Sequence, residues 1–207
     1  MFTLLPHTNL RRIIKPITDP IVFLLAKAHV SPNALTLLGV LGSAGAATLL
    51  ARGEFLAGGI VVLAAGAMDL LDGALARATG QVTRFGAVFD AVMDRVSEAA
   101  VLFGLLYYYS DRDARQEVLL IFAALAGSLL VSYVKARGEA LGLEIREGIF
   151  TRVERVIIIG GGSIIGQVRI ALWILAVFAN LTALQRLFVV WRKTRDGVNK
   201  GESGDTA

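Results

Sequence analysis

Among its 207 residues the chain has no cysteine. That absence excludes disulfides, thiolate metal sites and cysteine nucleophiles together. Charge is scarce as well. Asp, Glu, Lys and Arg make up 18% of the residues, against about 25% in soluble domains, which argues against an ordinary cytosolic globule. Strict alternation of apolar and polar residues is missing too; the apolar runs are continuous, which argues against a β-strand barrel. Residues 1–27 have no apolar core of usable length followed by an A-x-A-like site, so they do not read as a cleavable signal peptide. The two histidines, His7 and His29, read as interfacial side chains with no chemistry assigned.

What is present is apolar. The chain is 55% hydrophobic with a mean hydropathy of +0.64. Six spans of about 20 residues would take roughly 120 positions, which predicts one compact membrane domain and no second sizeable one. The net charge is +4, which in so apolar a chain fits basic loops facing anionic lipid rather than nucleic acid.

Uncharged runs lie at 28–51, 55–68, 99–110, 118–134, 156–168 and 170–185. Extended into their charged flanks they predict helices near 33–52, 55–77, 85–109, 116–137, 153–168 and 170–191. Gly39, Gly42, Gly45, Gly127, Gly160, Gly161 and Gly162 fall inside them, and in lipid such small residues mark surfaces where helices approach closely. The predicted fold class is an all-α integral membrane protein of six transmembrane helices, 28–191. Before it, Arg11, Arg12 and Lys15 beside Leu10, Ile13, Ile14 and Ile17 predict an amphipathic helix lying in the interface within 1–27. After it, 192–207 reads as a basic, disordered tail. An even number of spans puts both termini on one side, with only Arg52, Arg112, Arg115 and Arg169 of the 21 Lys and Arg on the other. By the positive-inside rule the termini face the cytoplasm, and the protein is expected in the cell membrane.

Against this background the segment 69–95, DLLDGALARATGQVTRFGAVFDAVMDR, is unusual. Asp69 and Asp72 stand three apart near the end of the second span, and Asp90 and Asp94 stand four apart near the start of the third. Each spacing puts its pair on one helix face. Gly80 breaks the chain between them, so the two helices are expected to run antiparallel and face each other. Four carboxylates just inside the bilayer repel one another and are costly to bury. One or two hard divalent cations remove that repulsion, and carboxylate oxygens suit Mg²⁺ or Mn²⁺. Gly73 leaves room for a substrate against the helix, and Arg77, one turn on, can contact a phosphate. Two metals clamping a phosphoryl group suggest phosphoryl transfer at the membrane surface.

The run Asp69-x2-Asp72-Gly73-x2-Ala76-Arg77-x8-Gly86-x3-Asp90-x3-Asp94 resembles the signature of the CDP-alcohol phosphatidyltransferases without a departure. The likeness reaches from Ser31-Pro32-Asn33-Ala34-Leu35-Thr36 through the sixth span. It implies a homodimeric six-helix membrane enzyme that moves a phosphatidyl group from a CDP-linked lipid to an alcohol and releases CMP. By resemblance, Asp69, Asp72 and Asp90 are metal ligands and Asp94 is the general base, also touching metal. Asn33, Ala34, Leu35, Thr36, Asp69, Gly73, Arg77 and Thr83 are implied contacts of the CDP-lipid. Read from the residues alone, Ser31 is a helix cap and Pro32 sits in the first turn.

The alcohol is less sharply written. Lys135, Arg137, Arg152 and Arg155 gather at the cytoplasmic ends of the fourth and fifth spans, which would suit an acceptor bearing its own phosphate. SYVKAR-x-EALG followed by RVER resembles the branch of the family that uses inositol phosphate, as in actinobacteria; archaeal enzymes acting on CDP-archaeol look similar here. That branch implies Ser132, Lys135 and Arg155 around the acceptor phosphate, with Arg152 and Arg186 as outer candidates. Glycerol 3-phosphate is the alternative acceptor, and its phosphate would want the same cations. A membrane ion transporter is the reading from another class. It fits poorly, because the outer halves of the spans carry no continuing acidic relay.

Overall fold

A computed structural model describes residues 18–145 and 147–202, with backbone alone for 196–202. Among these residues the chain is helical, with no strand. Helical backbone over 18–27 (α1) precedes α2 (Pro32–Ala51), α3 (Phe55–Ala78), α4 (Arg84–Ser110), α5 (Arg115–Ala140), α6 (Arg152–Ile164) and α7 (Val168–Glu202). Four of them, α2, α3, α5 and α7, are long and apolar enough to cross a membrane. The residues that suggested an amphipathic N-terminal helix lie outside the described ones.

Local chemistry explains where the helices begin. The Ser31 hydroxyl accepts from the Ala34 amide at 3.2 Å and Pro32 opens α2, as a side-chain cap and a pre-set φ angle require. Thr83 caps α4 in the same way, accepting from the Gly86 amide at 2.9 Å. Thr151 and Glu154 form a capping box at α6. Gly80, at φ +66°, supplies the left-handed turn between α3 and α4.

Two boundaries correct the sequence expectation. Helix α6 ends at Ile164 rather than near 168, because Gly166 turns the chain at φ +69° and donates to the Ser163 carbonyl. Helix α7 continues past 191 into the stretch expected to be an unstructured tail. Its extension is anchored by Lys193, which donates to the Glu144 carbonyl at 2.6 Å and pairs with Glu147 at 2.9 Å.

Most of the core lies where α2 to α7 meet, around Leu50, Leu102, Leu105, Ile121, Leu172 and Leu175. A smaller cluster of Val22, Leu35 and Leu75 fastens α1 to α2 and α3. The neighbours in sequence α3 and α4 approach each other little. Helix α2 packs along both, α3 packs on α6, and α5 packs on α7. The expected face-to-face packing of α3 and α4 is therefore replaced by an arrangement in which α2 holds the two together.

Candidate active site

Helix α3 carries Asp69 and Asp72 in its last turns and α4 carries Asp90 in its second. One carboxylate oxygen of each lies within 4.8 Å of the other two. Asp72 is the most enclosed, 3% exposed. It is held from α2, where the Thr36 hydroxyl donates to its Oδ2 at 2.6 Å. Three anionic groups at this separation oppose one another, and hydrogen bonding satisfies only part of that charge. Their oxygen donors fit a hard divalent cation such as Mg²⁺ or Mn²⁺.

Asp94 stands outside this triad, one turn further along α4. Its Oδ1 lies 2.7 Å from Arg152 Nη1, and the same nitrogen is paired with Asp69 Oδ2. On the other side Arg95 is 3.7 Å from Asp94 Oδ2. Arg152 is the first residue of α6, so the capping box at Thr151 and Glu154 fixes where its guanidinium starts from.

Around the glycine of the motif the placement is tighter than sequence suggests. The guanidinium of exposed Arg77 folds back over Gly73; a Cβ there would sit 3.3 Å from Arg77 Nη1. Gly86 faces Thr83 and Asn33, whose Oδ1 is 3.6 Å from the position a Cβ would take. Ala34 is exposed. Leu35, which sequence grouped with the nucleotide contacts, packs its side chain into the Val22–Leu75 cluster instead. It anchors the segment rather than facing the carboxylates.

The five residues expected around an acceptor phosphate are engaged in different ways. Arg155, 4% exposed, gives Nε and Nη2 to the two oxygens of Glu98 at 2.6 and 2.9 Å. Arg186 is buried and donates to the carbonyls of Glu147 at 2.9 Å and Val131 at 2.8 Å. Lys135 pairs with Glu139 at 3.6 Å, while Ser132 is half-buried. Arg152 and Arg155 line a cavity of about 30 Å³ with Ser43, Ser97 and Glu98, room for roughly one water.

Sequence reasoning missed Glu98 and the grip of Thr36 on Asp72. The first had a signal: Asp90, Asp94 and Glu98 recur at four-residue spacing on one face of α4. The second had none, since residues 36 apart meet only through helix packing.

The sequence matches the family model for CDP-alcohol phosphatidyltransferase over residues 29–195. The chain belongs to this family. As a member of the CDP-alcohol phosphatidyltransferases it is an enzyme of phosphatidyl transfer. It is 41% identical over 187 residues to the phosphatidylinositol phosphate synthase of Mycobacterium tuberculosis, covering 84% of this chain and 86% of that one. The archaetidylinositol phosphate synthase of Pyrococcus horikoshii is 37% identical over 198 residues, 92% of this chain and 99% of that one. In structure, the Mycobacterium tuberculosis synthase in complex with manganese and citrate superposes with a TM-score of 0.78 at 38% identity, over 84% of this chain and 88% of that one. The same synthase with CDP-DAG bound gives 0.76 at 38% identity, over 85% and 94%.

Proposed function

We propose that this protein transfers a phosphatidyl group from CDP-diacylglycerol to inositol phosphate, giving phosphatidylinositol phosphate and CMP. The observation that carries the reading is the Asp69–Asp72–Asp90 triad with the Arg152 guanidinium paired to Asp69, and Arg155 lining a cavity with Arg152. Membership of the family and relatives named for that product support it.

In this reading Asp69, Asp72 and Asp90 hold the metal, one or two ions of Mg²⁺ or Mn²⁺, with Asp94 alongside. A bound cation supplies the positive charge that the diphosphate and the departing CMP require. Thr36 orients Asp72 by its hydrogen bond. Gly73 leaves space for the diphosphate, and Arg77 and Thr83 contact it, with Asn33 and Ala34 on the nucleotide side. Asp94 accepts the proton of the acceptor hydroxyl as its oxygen attacks the lipid-bearing phosphorus. The phosphorus–oxygen bond to CMP breaks, and CMP leaves with the electron pair. Proximity and electrostatics supply much of the acceleration, since a carboxylate is a weak base. Ser132, Lys135, Arg152, Arg155 and Arg186 form the basic wall toward the acceptor phosphate. Glu98 keeps Arg155 in place within it.

The same reading has α2 to α7 all crossing the cell membrane in a homodimer, with the carboxylates and both termini on the cytoplasmic side. The test is an acceptor panel with labelled CDP-diacylglycerol, comparing inositol phosphate, glycerol 3-phosphate, inositol and serine. Phosphatidylinositol phosphate is the expected product from inositol phosphate alone. Turnover with glycerol 3-phosphate instead overturns the assignment of the acceptor, and no CMP release with any alcohol overturns the function.

A further inference from the structure

Arg152 and Arg155 sit one turn apart at the start of α6, yet they hold their carboxylates differently. Arg155 docks as a fork, two nitrogens on two oxygens of a single partner. That is the geometry of a fixed arginine–carboxylate pair. Arg152 instead touches two carboxylates, Asp69 and Asp94, through the single nitrogen Nη1. Its Nε is buried without a hydrogen-bond partner, as is Nη1 of Arg155. A guanidinium placed this way acts as a point charge between two acids.

Asp69 is also one of the three carboxylates whose oxygens converge. We infer that Arg152 is a stand-in cation for Asp69 and Asp94, displaced when a divalent ion loads the carboxylates, and that its release provides donors for the acceptor phosphate. The inference rests on the functional reading above, in which these aspartates hold metal and the acceptor carries phosphate. Two cations cannot share Asp69 without repulsion, so metal and Arg152 compete for it. Arg155 stays with Glu98, because that pair contributes no oxygen to the triad. Arg152 lines the same small cavity as Arg155, so a freed guanidinium stays beside the other cation of the basic wall. The consequence is linkage: metal strengthens acceptor binding through Arg152, and the acceptor strengthens metal binding by the same factor.

The experiment measures Mn²⁺ binding to the full-length protein in nanodiscs by titration calorimetry, for the native protein, Arg152→Gln and Arg152→Lys. Removing the competing charge is expected to tighten Mn²⁺ binding about ten-fold in Arg152→Gln. Arg152→Lys, which keeps the charge, stays near native. Unchanged or weaker binding in Arg152→Gln, with native-like melting, overturns the inference and makes Arg152 an organiser of the carboxylates. Failure of the native protein to bind Mn²⁺ overturns the functional reading itself. In a second titration Mn²⁺ is expected to tighten inositol phosphate binding to the native protein, and to do so far less for Arg152→Gln. Equal coupling in the two proteins overturns the release of Arg152 toward the acceptor.

Discussion

Arg155 and Glu98 are the side chains whose loss should be felt in both stability and turnover. Their side chains are 5% and 12% exposed, and Glu98 takes two of the Arg155 donors, Nε and Nη2. Removing one partner of a buried pair strands a charge, which costs about 3–5 kcal/mol, whereas replacing both by apolar groups is often nearly neutral. Glu98→Gln is therefore expected to lower the melting temperature sharply in detergent. The double change Glu98→Leu with Arg155→Met recovers most of that stability while CMP release stays far below native, because the basic wall has lost Arg155. A Glu98→Gln protein that melts like the native one would show that the pair is not what holds Arg155. Asp72 obeys the same logic with a neutral partner, since Thr36 supplies the hydrogen bond that a carboxylate at 3% exposure needs.

At the scale of the helices, close packing decides where the carboxylates stand. A Cβ on Gly104 would lie 2.3 Å from the carbonyl oxygen of Ala47 and 2.7 Å from its Cα, so α4 can lie on α2 only with a glycine there. The obstruction is backbone and cannot rotate away. Gly104→Ala should cost about 1–3 kcal/mol and shift α4, and with it Asp90, against the Thr36–Asp72 pair. Gly161→Ala is the internal control: a Cβ there meets nothing within 4 Å. Melting curves of the two variants check the difference; equal losses would mean that α2 and α4 do not need this contact. Of the glycines that marked packing surfaces in the sequence, Gly39, Gly42, Gly127, Gly160 and Gly162 lie against neighbouring atoms while Gly45 and Gly161 face open space, and the cap at Ser31 placed the start of α2. Nothing local announced which glycine met which helix, because the partner lies tens of residues away.

For the whole molecule the open matter is direction across the membrane. The turn at 111–114 and the loop after α5 lie at opposite ends of the bundle, since α4 leads to the one and α5 leads away to the other. Because the chain has no cysteine, single cysteines report cleanly. A membrane-impermeant maleimide is expected to label Asp111→Cys in intact cells and Leu141→Cys only after lysis. The reverse pattern would invert the orientation drawn from the lysine and arginine bias. Charge also ties the far end together: Glu117, 3% exposed, is paired with Arg169 between the starts of α5 and α7.

The amino-acid order by itself determined that the domain is helical, the cap at Ser31 and the pairing of acids along each helix, because these depend on period and on neighbours within one turn. It put Asp69 and Asp72 on one face of α3 and Asp90 near the start of α4, and packing of both helices on α2 brings their oxygens together. Only the tertiary structure decided how the charges pair. Arg155 finds Glu98 across 57 residues, Thr36 finds Asp72 across 36, and Arg152 reaches back to Asp69 and Asp94. Such pairs are set by which helices pack, and α2, rather than the short turn at Gly80, is what joins α3 to α4. Electrostatic partners in a bundle are chosen by geometry between helices, and no rule of spacing along the chain contains it.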